Sequence, residues 1–292
     1  MPEKFLVTDT VPDGFLEEFH KLGFETEYVA KMDTESLAPI VHLYQGIVIN
    51  TSMNMDKTMI DKATKLKYIL RPGSGLDNVD VAHAESKNIL VLNSPEGNAH
   101  AVAEHALGLL LGLLNYIPRA FEQVKNFDWI RQPNTGTELK GKTVGIIGYG
   151  HTGSAFAKKL SGFETQILVY DKYKKDIQES FVSKATLQDI FELADIVSLH
   201  IPLNTETKYL VNDSFINSFL KPIYLLNTSR GGVADILSIT NGLQTGKIKG
   251  AGLDVLENEQ LKNYSQAEKN IFLNLIQAGN VIVTPHIAGW TK

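Results

Sequence analysis

The stretch that decides the fold is residues 143–171, TVGIIGYGHTGSAFAKKLSGFETQILVYD. An apolar, β-branched run comes first and is followed by Gly148, Gly150 and Gly153, a helical pattern over residues 154–160, and a second apolar run. A strand, a G-x-G-x-x-G turn and a helix in this order are typical of a dinucleotide-binding βαβ unit. The stretch therefore predicts an α/β fold with a doubly wound parallel sheet.

Each glycine of the turn has a physical role in cofactor binding. Gly148 permits the tight turn, Gly150 lets the backbone approach a pyrophosphate, and Gly153 lets the helix pack closely on the strand. The helix N-terminus then directs free N–H groups and a partial positive charge towards the phosphates. The three glycines are therefore predicted to bind the cofactor.

Asp171 ends the second apolar run and selects the type of cofactor. It follows Gly148 by 23 residues (171 minus 148), close to the spacing of about 20 residues for the carboxylate that binds a ribose hydroxyl. A carboxylate there repels a 2′-phosphate, which favours NAD over NADP. Lys172, Lys174 and Lys175 follow closely, so tolerance of NADP stays open.

The rest of the chain repeats the alternation of apolar runs and helical patterns, which is typical of parallel sheets. The further runs predicted as strands lie at residues 5–8, 46–50, 68–70, 90–93, 195–202, 224–232, 250–256 and 281–286. A long helical pattern over residues 99–127 separates two series of such runs. The pattern predicts two Rossmann-like or flavodoxin-like domains.

Composition excludes several classes of function. The 292 residues contain no cysteine, which excludes disulfides, thiolate nucleophiles and cysteine-ligated metals. The net charge of −5 gives no basic field for nucleic acid or an anionic membrane.

His100, Glu104 and His105 do not have the spacing of a zinc-binding helix, and no metal site is predicted. The N-terminal residues carry no signal pattern, so a cytoplasmic protein is expected.

Three residues at the ends of the later apolar runs are candidates for catalysis. Arg230 follows one run, His286 ends another, and Glu259 lies five residues after Asp254. Ligands of open α/β sheets bind at the carboxyl ends of the strands. Histidine suits proton transfer in both directions, a carboxylate stabilises its protonated form, and arginine can hold a substrate carboxylate with two hydrogen bonds. Together they suit oxidation or reduction at a carbon next to a carboxylate.

The chain resembles the NAD-dependent D-isomer-specific 2-hydroxy acid dehydrogenases over most of its length. The matching motifs are RPGSGLDNVD (71–80), NSPEGNAHAVAEHALGLLL (93–111), WIRQPNTGTELKGKTVGIIGYGHTG (129–153), ADIVSLHIPLNTETKYLVN (194–212), LLNTSRGGVAD (225–235), GAGLDVLENE (250–259) and TPHIAGWT (284–291). The resemblance implies a substrate domain at 1–98, completed by any return of residues 287–292. It also implies an inserted NAD-binding domain at 99–286, with the active site in the cleft between the two domains.

The resemblance also implies roles for individual residues. Arg230 binds the substrate, His286 is the acid/base, and Glu259 supports His286. The implied cofactor contacts are His151, Thr152, Asp171, Thr228, Asp254 and Gly289, beside the three glycines. The implied substrate contacts are Asn50, Arg71, Gly73, Ser74, Gly75, Arg230 and His286. The helix at 99–127 belongs to the dimer arm of that family, so a homodimer is expected.

Within this family, the chain is most similar to the branch of the D-3-phosphoglycerate dehydrogenases of serine biosynthesis, because Arg71, Trp129 and Arg131 match that branch. Asn50 stands where many of these enzymes carry an arginine, which leaves the phosphate contact open; Lys57, Arg71 or Arg131 of a neighbouring subunit could replace it. Another 2-hydroxy acid (the glyoxylate, hydroxypyruvate or D-lactate type) therefore stays an alternative substrate. A corepressor-like protein that binds NAD without catalysis is a further alternative.

Two more departures from the family concern the end of the chain. Gln260 stands where the family often has proline, which predicts a changed loop and an unchanged mechanism. The family normally continues beyond the histidine motif with a helix that returns to the first domain, and only six residues follow His286. We expect a short form without an appended regulatory domain, in which that helix is either missing or cut off.

Overall fold

The structure is a computed structural model that describes residues 2–11, 13–49 and 53–291. Its contacts divide the chain into two compact units, residues 1–98 and residues 99–292. Each unit contains one sheet of parallel strands with helices between successive strands. The predicted α/β class with two parallel sheets is confirmed.

The first unit is built on a five-stranded sheet. Its strands are β1 (Lys4–Val7), β2 (Glu25–Tyr28), β3 (Gly46–Val48), β4 (Tyr68–Arg71) and β5 (Leu90–Asn93). Its helices are α1 (Phe15–Lys21), α2 (Thr34–Leu37), α3 (Lys57–Lys62) and α4 (Val81–Ser86). The strand order is β2-β1-β3-β4-β5. Because the order reverses at β1, the carboxyl ends of β1 and β3 lie side by side at a topological switch point.

Local sequence explains where the helices of this unit begin. Asp33, Asp56 and Asp80 precede α2, α3 and α4, and each side chain accepts a backbone N–H from the first turn of its helix. Such N-caps satisfy donors that the helix itself cannot pair. Leu6 of β1 and Ile69 of β4 are fully buried in the core of this unit. Caps and core together fix the loops at the carboxyl ends of the strands.

The second unit is built on a seven-stranded sheet of order β12-β11-β10-β9-β6-β7-β8. Its strands are β6 (Thr143–Ile147), β7 (Gln166–Tyr170), β8 (Ser183–Lys184), β9 (Ile196–Leu199), β10 (Ile223–Asn227), β11 (Ile248–Leu253) and β12 (Val281–Val283). Its helices are α5 (Ala99–Leu114), α6 (Ile117–Lys125), α7 (His151–Leu160), α8 (Leu187–Leu193), α9 (Asp213–Asn217), α10 (Ile236–Gln244) and α11 (Gln266–Gln277). Here the chain reverses direction across the sheet at β6, so the ends of β6 and β9 form the switch point.

Apolar layers cover both faces of this second sheet. One layer contains buried residues of α5 and α7, and the other contains buried residues of α8, α9, α10 and α11. Every residue of β6, β9 and β10 is buried. Strands covered on both faces are expected to be continuously apolar, which explains why their sequences lack a polar alternation.

The single helix predicted over residues 99–127 is partly wrong, because the structure has two helices there. α5 ends at Leu114, and Tyr116 adopts a left-handed backbone conformation with φ of 51° before α6 begins. Pro118 lies in the first turn of α6, where its missing N–H costs no helical hydrogen bond. The two helices meet at an angle of 61°. The apolar pattern predicted helical structure over this whole stretch but could not show the break within it.

No single helix in the described ranges is long and apolar enough to span a membrane. α5 and α6 pass such a test only as a pair across their sharp bend. α5 packs against α7, β10 and β11 inside the second unit. The cytoplasmic location expected from the sequence stays a prediction.

Candidate active site

The candidate site of the second unit lies at the carboxyl ends of its strands. Gly148 directly follows β6, Asp171 follows β7, and His200 follows β9. Arg230 comes three residues after the end of β10, and His286 three residues after the end of β12. The strands are parallel and adjacent, so these groups belong to one edge of one sheet.

The glycine-rich turn has the geometry that its sequence predicts. Gly148 has a φ of 94°, and a Cβ at this position would overlap the carbonyl oxygen of His200. A Cβ at Gly153 would overlap the carbonyl oxygen of Gly148. A Cβ at Gly150 would meet no described atom within 4 Å. The first and third glycines therefore allow close packing, whereas the second leaves open space at the N-terminus of α7, which fits a pyrophosphate.

Asp171 connects this turn to the loop after β7. Its Oδ2 accepts the N–H of Tyr149 at 2.7 Å, and its Oδ1 accepts those of Tyr173 and Lys174 at 2.9 and 2.8 Å. Burial opposes ionisation, but these three N–H donors and the Lys174 charge outweigh it and lower the pKa of Asp171. The carboxylate is therefore ionised at neutral pH, as a ribose acceptor must be.

His200 is buried beneath the glycine-rich turn. Its Nε2 lies 2.8 Å from the Ser198 hydroxyl, its Nδ1 lies 3.3 Å from the Thr152 hydroxyl, and its ring packs on Phe156. Burial lowers the pKa of His200 to about 4. A neutral imidazole buried in this way supports the turn through its contacts with Thr152 and Phe156.

Thr228 and Arg230 lie on the loop after β10. The Thr228 hydroxyl is buried and has no hydrogen-bond partner within the described part of the chain. The Arg230 guanidinium donates from Nη1 to the carbonyl of Ser229 at 2.7 Å, and the Arg230 carbonyl accepts from Asn227. Gly231 follows, where a Cβ would overlap the carbonyl oxygen of Leu256. This close backbone contact joins the arginine loop to the segment that leads to Glu259.

His286 and Glu259 form a hydrogen-bonded pair. Nδ1 of His286 lies 3.0 Å from Oε2 of Glu259, and both side chains are about half exposed. The bond to Glu259 raises the pKa of His286, burial and the Arg230 charge oppose the rise, and the charges of Glu259 and Asp254 add to it. A carboxylate can only accept, so Nδ1 carries the proton, and Nε2 has no hydrogen-bond partner among the described residues.

Asp254 organises the turn that carries His286. Its carboxylate is buried and accepts the Thr284 hydroxyl at 2.6 Å and the N–H groups of Ile287 and Ala288 at 3.0 and 2.9 Å. Its carbonyl accepts the N–H of His286 at 2.8 Å. The family resemblance implies a cofactor contact for Asp254 and does not indicate this function in shaping the turn. An aspartate after a buried strand carries no sequence signal that separates the two roles.

The remaining cofactor candidates have these places. His151 is the first residue of α7 and is exposed, and Thr152 is the next residue of that helix. Gly289 lies in the turn after Ala288, where the N–H of Trp290 bonds to the carbonyl of Ile287. Cofactor contacts by these three residues stay predictions.

Four substrate candidates of the first unit, Arg71, Gly73, Ser74 and Gly75, lie at the end of β4 and on the loop after it. The Arg71 guanidinium packs against Gly73, where it fills the space that a Cβ would need. The carbonyl of Gly73 accepts the N–H of Ser94 at 3.0 Å, and that of Ser74 accepts the Asn93 amide at 2.7 Å. These bonds from the end of β5 and the residue after it tether a Gly-Ser-Gly loop. Gly75 ends that loop, and Asn50 lies outside the described residues.

Comparisons with known proteins give a consistent result. Residues 107–288 match the family model described as D-isomer specific 2-hydroxyacid dehydrogenase, NAD binding domain. A D-3-phosphoglycerate dehydrogenase of Archaeoglobus fulgidus is 33% identical over 99% of this chain, which spans 54% of that relative. A hydroxypyruvate reductase of Thermotoga maritima is 34% identical over 93% of this chain and 85% of its own length. The chain thus spans about half the length of the phosphoglycerate dehydrogenases that it matches.

Solved structures agree with these matches. A D-lactate dehydrogenase of Aquifex aeolicus, solved with NAD and lactic acid, is similar with a TM-score of 0.86 and 27% identity, covering 99% of this chain and 90% of that one. A D-2-hydroxyisocaproate dehydrogenase is similar with a TM-score of 0.85 and 25% identity, covering 99% and 91%. The chain belongs to the family of D-isomer-specific 2-hydroxy acid dehydrogenases, whose cofactor is NAD.

Proposed function

We propose that this protein interconverts a D-2-hydroxy acid and its 2-keto acid. The observation that carries the proposal is the pair of His286 and Glu259 at the carboxyl edge of the sheet that also bears Arg230 and the glycine-rich turn. A tautomer with the proton on Nδ1 leaves Nε2 to take a proton from a hydroxyl or to return one to a carbonyl oxygen. The chain thus has an acid/base and an anion-binding cation within one sheet.

Each residue of this set has its own chemical role in the proposed reaction. Arg230 holds the substrate carboxylate through its guanidinium fork. His286 moves the proton at the C2 oxygen, and Glu259 fixes the ring and stabilises the imidazolium. NAD, when bound, supplies the acceptor or donor for the hydride of C2. We assign its pyrophosphate to the turn of Gly148, Gly150 and Gly153, with His151 and Thr152 beside it.

The other assigned cofactor contacts follow from polar groups at the strand ends. We assign the ribose to Asp171 and the nicotinamide side to Thr228, Asp254 and Gly289. The buried Thr228 hydroxyl, without a partner among the described residues, supports this assignment, since such groups need a hydrogen bond.

We further propose that the first unit is the substrate domain, and that residues 99–286 form the NAD-binding domain. Support comes from the Gly-Ser-Gly loop, whose carbonyl groups bond to Asn93 and Ser94 while its N–H groups offer donors to an anion. The Arg71 guanidinium against Gly73 adds positive charge to that loop. We assign a negatively charged group of the substrate to Gly73, Ser74 and Gly75.

We propose D-3-phosphoglycerate as the substrate, which would place the enzyme in serine biosynthesis. Several relatives with that printed name match nearly the whole chain at 31–34% identity. Hydroxypyruvate is the second candidate, because the Thermotoga maritima reductase matches at the same identity and over most of both chains. Asn50 leaves the phosphate contact without an arginine, so a phosphate-free 2-keto acid competes directly with the first candidate.

A panel of acids tests the proposal at the absorbance of the nicotinamide. D-3-phosphoglycerate, D-glycerate and D-lactate are offered with NAD, and hydroxypyruvate, glyoxylate and pyruvate with NADH. Turnover of any D-2-hydroxy acid with no turnover of its L-isomer supports the reaction. The ratio of kcat/KM for the phosphorylated substrate to that for the unphosphorylated substrate decides between the two candidates. Tight NAD binding without turnover of any acid would instead support the corepressor-like alternative.

We also propose a homodimer that pairs through α6 and the segment after it. The apolar residues Ile117, Phe121 and Val124 recur at helical spacing on this short helix and are about half exposed or more. Phe127 and Trp129 continue the surface and are 99% and 74% exposed. Exposed apolar patches of this kind mark protein interfaces. Analytical ultracentrifugation of the wild type and of Phe121→Glu tests this proposal. The wild type should sediment as a dimer, and the buried charge of the variant should leave it a monomer.

A further inference from the structure

His105 of α5 makes a hydrogen bond to the turn that carries His286 and also lies close to Asp254. Its Nε2 lies 2.9 Å from the hydroxyl oxygen of Thr284 and 3.4 Å from Oδ1 of Asp254. His105 and Thr284 are 179 residues apart in the chain. The His105 side chain is 22% exposed, so it reaches the turn from a largely enclosed position. The family resemblance gave this histidine no role.

Counting protons fixes the direction of these hydrogen bonds. The Thr284 hydroxyl has one proton to donate. Its oxygen lies 2.6 Å from Oδ1 of the Asp254 carboxylate. The carboxylate also receives the N–H groups of Ile287 and Ala288, one on each oxygen. Because a carboxylate only accepts, Thr284 donates to Asp254, and its oxygen must accept from His105. His105 therefore donates to Thr284, Thr284 donates to Asp254, and Asp254 also accepts the N–H groups of Ile287 and Ala288 in the turn.

The turn needs this support because its backbone is strained. His286 has a φ of 55°, a left-handed conformation that non-glycine residues adopt at a cost in free energy. Its N–H is held by the carbonyls of Asp254 and Thr284 at 2.8 and 3.0 Å. A network in which every member is paired gives a rigid arrangement. Acid/base catalysis depends on such rigidity, since a shift of about 1 Å can cost about 100-fold in rate.

We propose that His105 is a positioning residue for His286. Through Thr284 and Asp254 it holds the turn of residues 284–288, so that the imidazole keeps its contact with Glu259. This inference rests on the proposed acid/base role of His286. The charged groups that act on His286 are Glu259, Asp254 and Arg230, and His105 acts on its position through the hydrogen bonds of the turn.

The experiment compares three variants of the full chain. His105→Leu removes the donor, while His105→Gln keeps an amide N–H that can reach Thr284. His100→Leu is the matched control, because His100 lies on the same helix and is exposed. The readouts are kcat and KM for a substrate found in the panel, the NMR titration of the His286 ring, and NADH binding.

We expect His105→Leu to lower kcat by about 10- to 100-fold, with less than a threefold change in NADH binding. The pKa of His286 should fall towards its ordinary value, because a loosened turn weakens the bond to Glu259. His105→Gln should recover most of the activity, and His100→Leu should equal the wild type. An unchanged kcat and an unchanged His286 titration in His105→Leu would overturn the proposal.

Thr284→Val keeps the test decisive if His105→Leu does not fold. Valine has nearly the shape of threonine but no hydroxyl, so it interrupts the same series of bonds, and the His286 titration should shift in the same direction. Normal activity and a normal titration in Thr284→Val would refute the proposal. The NMR readout needs no turnover: a shifted titration in a protein that converts no acid would uphold the positioning by His105 and reject the proposed reaction.

Discussion

Nδ1 of His286 lies 3.0 Å from Oε2 of Glu259, although 27 residues separate them in the chain. Glu259 comes from the loop after β11, and His286 from the turn after β12. The neighbouring strands β11 and β12 are paired in register, which brings the two loops to the same edge. The contact is therefore a product of the sheet and of no local sequence pattern.

His286→Asn should abolish most of the turnover. Asparagine adopts the left-handed backbone more readily than most residues, so the turn should keep its shape while the acid/base group is lost. We expect kcat to fall by about 10²- to 10⁴-fold, measured by nicotinamide absorbance, with NADH binding within threefold of wild type. Activity close to that of wild type would remove His286 from the acid/base role.

Glu259→Gln should shift the pH profile to lower pH. Glu259 raises the pKa of His286, so the pKa should fall when the carboxylate is neutralised. Reduction of a keto acid needs the imidazolium, and its rate falls as pH rises through this pKa; in the variant the fall should begin at lower pH. Oxidation needs the neutral ring, and its rate should rise at lower pH than in the wild type. Identical profiles of kcat/KM for both proteins would contradict the prediction.

The same pair should affect stability with a definite sign. The folded-state pKa of His286 is above its ordinary value, so the pair stabilises the fold fully below the unfolded-state pKa. This contribution is lost as pH rises through the folded-state pKa. Glu259→Gln should therefore lower Tm more at pH 5.5 than at pH 9, and an equal loss at both pH values would contradict the linkage.

Gly150→Ala and Gly153→Ala separate cofactor binding from folding. Gly150 has a φ of −80°, which alanine adopts without strain, and a Cβ there meets open space in the described structure. Gly150→Ala should fold with a Tm near that of wild type and bind NADH at least about tenfold more weakly, because the methyl group occupies the pyrophosphate position.

Gly153→Ala should instead lose stability, because its Cβ would overlap the carbonyl oxygen of Gly148. Overpacking of this kind costs about 1–3 kcal/mol. Titration of NADH fluorescence and thermal unfolding distinguish the two variants. Tight NADH binding by Gly150→Ala would show that the pyrophosphate does not lie on this glycine.

Asp171→Asn should weaken the preference for NAD over NADP. The substitution replaces the carboxylate that we assign to the ribose with a neutral amide, and hydrogen bonds to charged groups are worth about 1.5–3 kcal/mol. We expect the ratio of kcat/KM for NAD to that for NADP to fall at least about tenfold. Asp176→Asn is the matched control, because Asp176 is exposed on the loop after β7. An unchanged ratio in Asp171→Asn would reject its role in cofactor choice.

The sequence predicted the elements that are apolar and long, and missed those that are short and polar. Runs such as residues 143–147 are buried on both faces and were recognisable as strands. β2 has the sequence ETEY and β8 has two residues, and both lie at sheet edges, where few side chains need to be apolar. These strands exist because their backbone pairs with a neighbour, which no single-sequence pattern reports.

For the candidate site, residue types at strand ends were predictable, whereas their partners were not. The sequence predicts Arg230, Glu259 and His286 as candidates because arginine, carboxylate and imidazole suit the chemistry at that edge. The bonds of His105 to Thr284 and of Asp254 to the turn depend on contacts across up to 179 residues. Such distances along the chain leave no periodic signal, so the structure is needed to find positioning residues.

His200 should make the second unit sensitive to acid. Burial lowers its pKa to about 4, whereas the unfolded chain binds a proton near the ordinary pKa of about 6.5. The unfolded state therefore gains the proton first as pH falls, and stability decreases between these two values. One pKa unit corresponds to about 1.4 kcal/mol. Protonation of this group alone should therefore lower the free energy of unfolding by about 2 kcal/mol between pH 7 and pH 5.

His200→Gln tests this prediction, since glutamine does not titrate and its amide can still bond to Ser198. Urea unfolding at pH 7 and at pH 5 gives the free energy of unfolding for both proteins. The variant should be less stable than the wild type at pH 7, because the ring contact with Phe156 is lost. Its loss of stability between the two pH values should be smaller than that of the wild type by about 2 kcal/mol. An equal loss in both proteins would mean that His200 is not the group that titrates, and that its ring is not buried as a neutral imidazole.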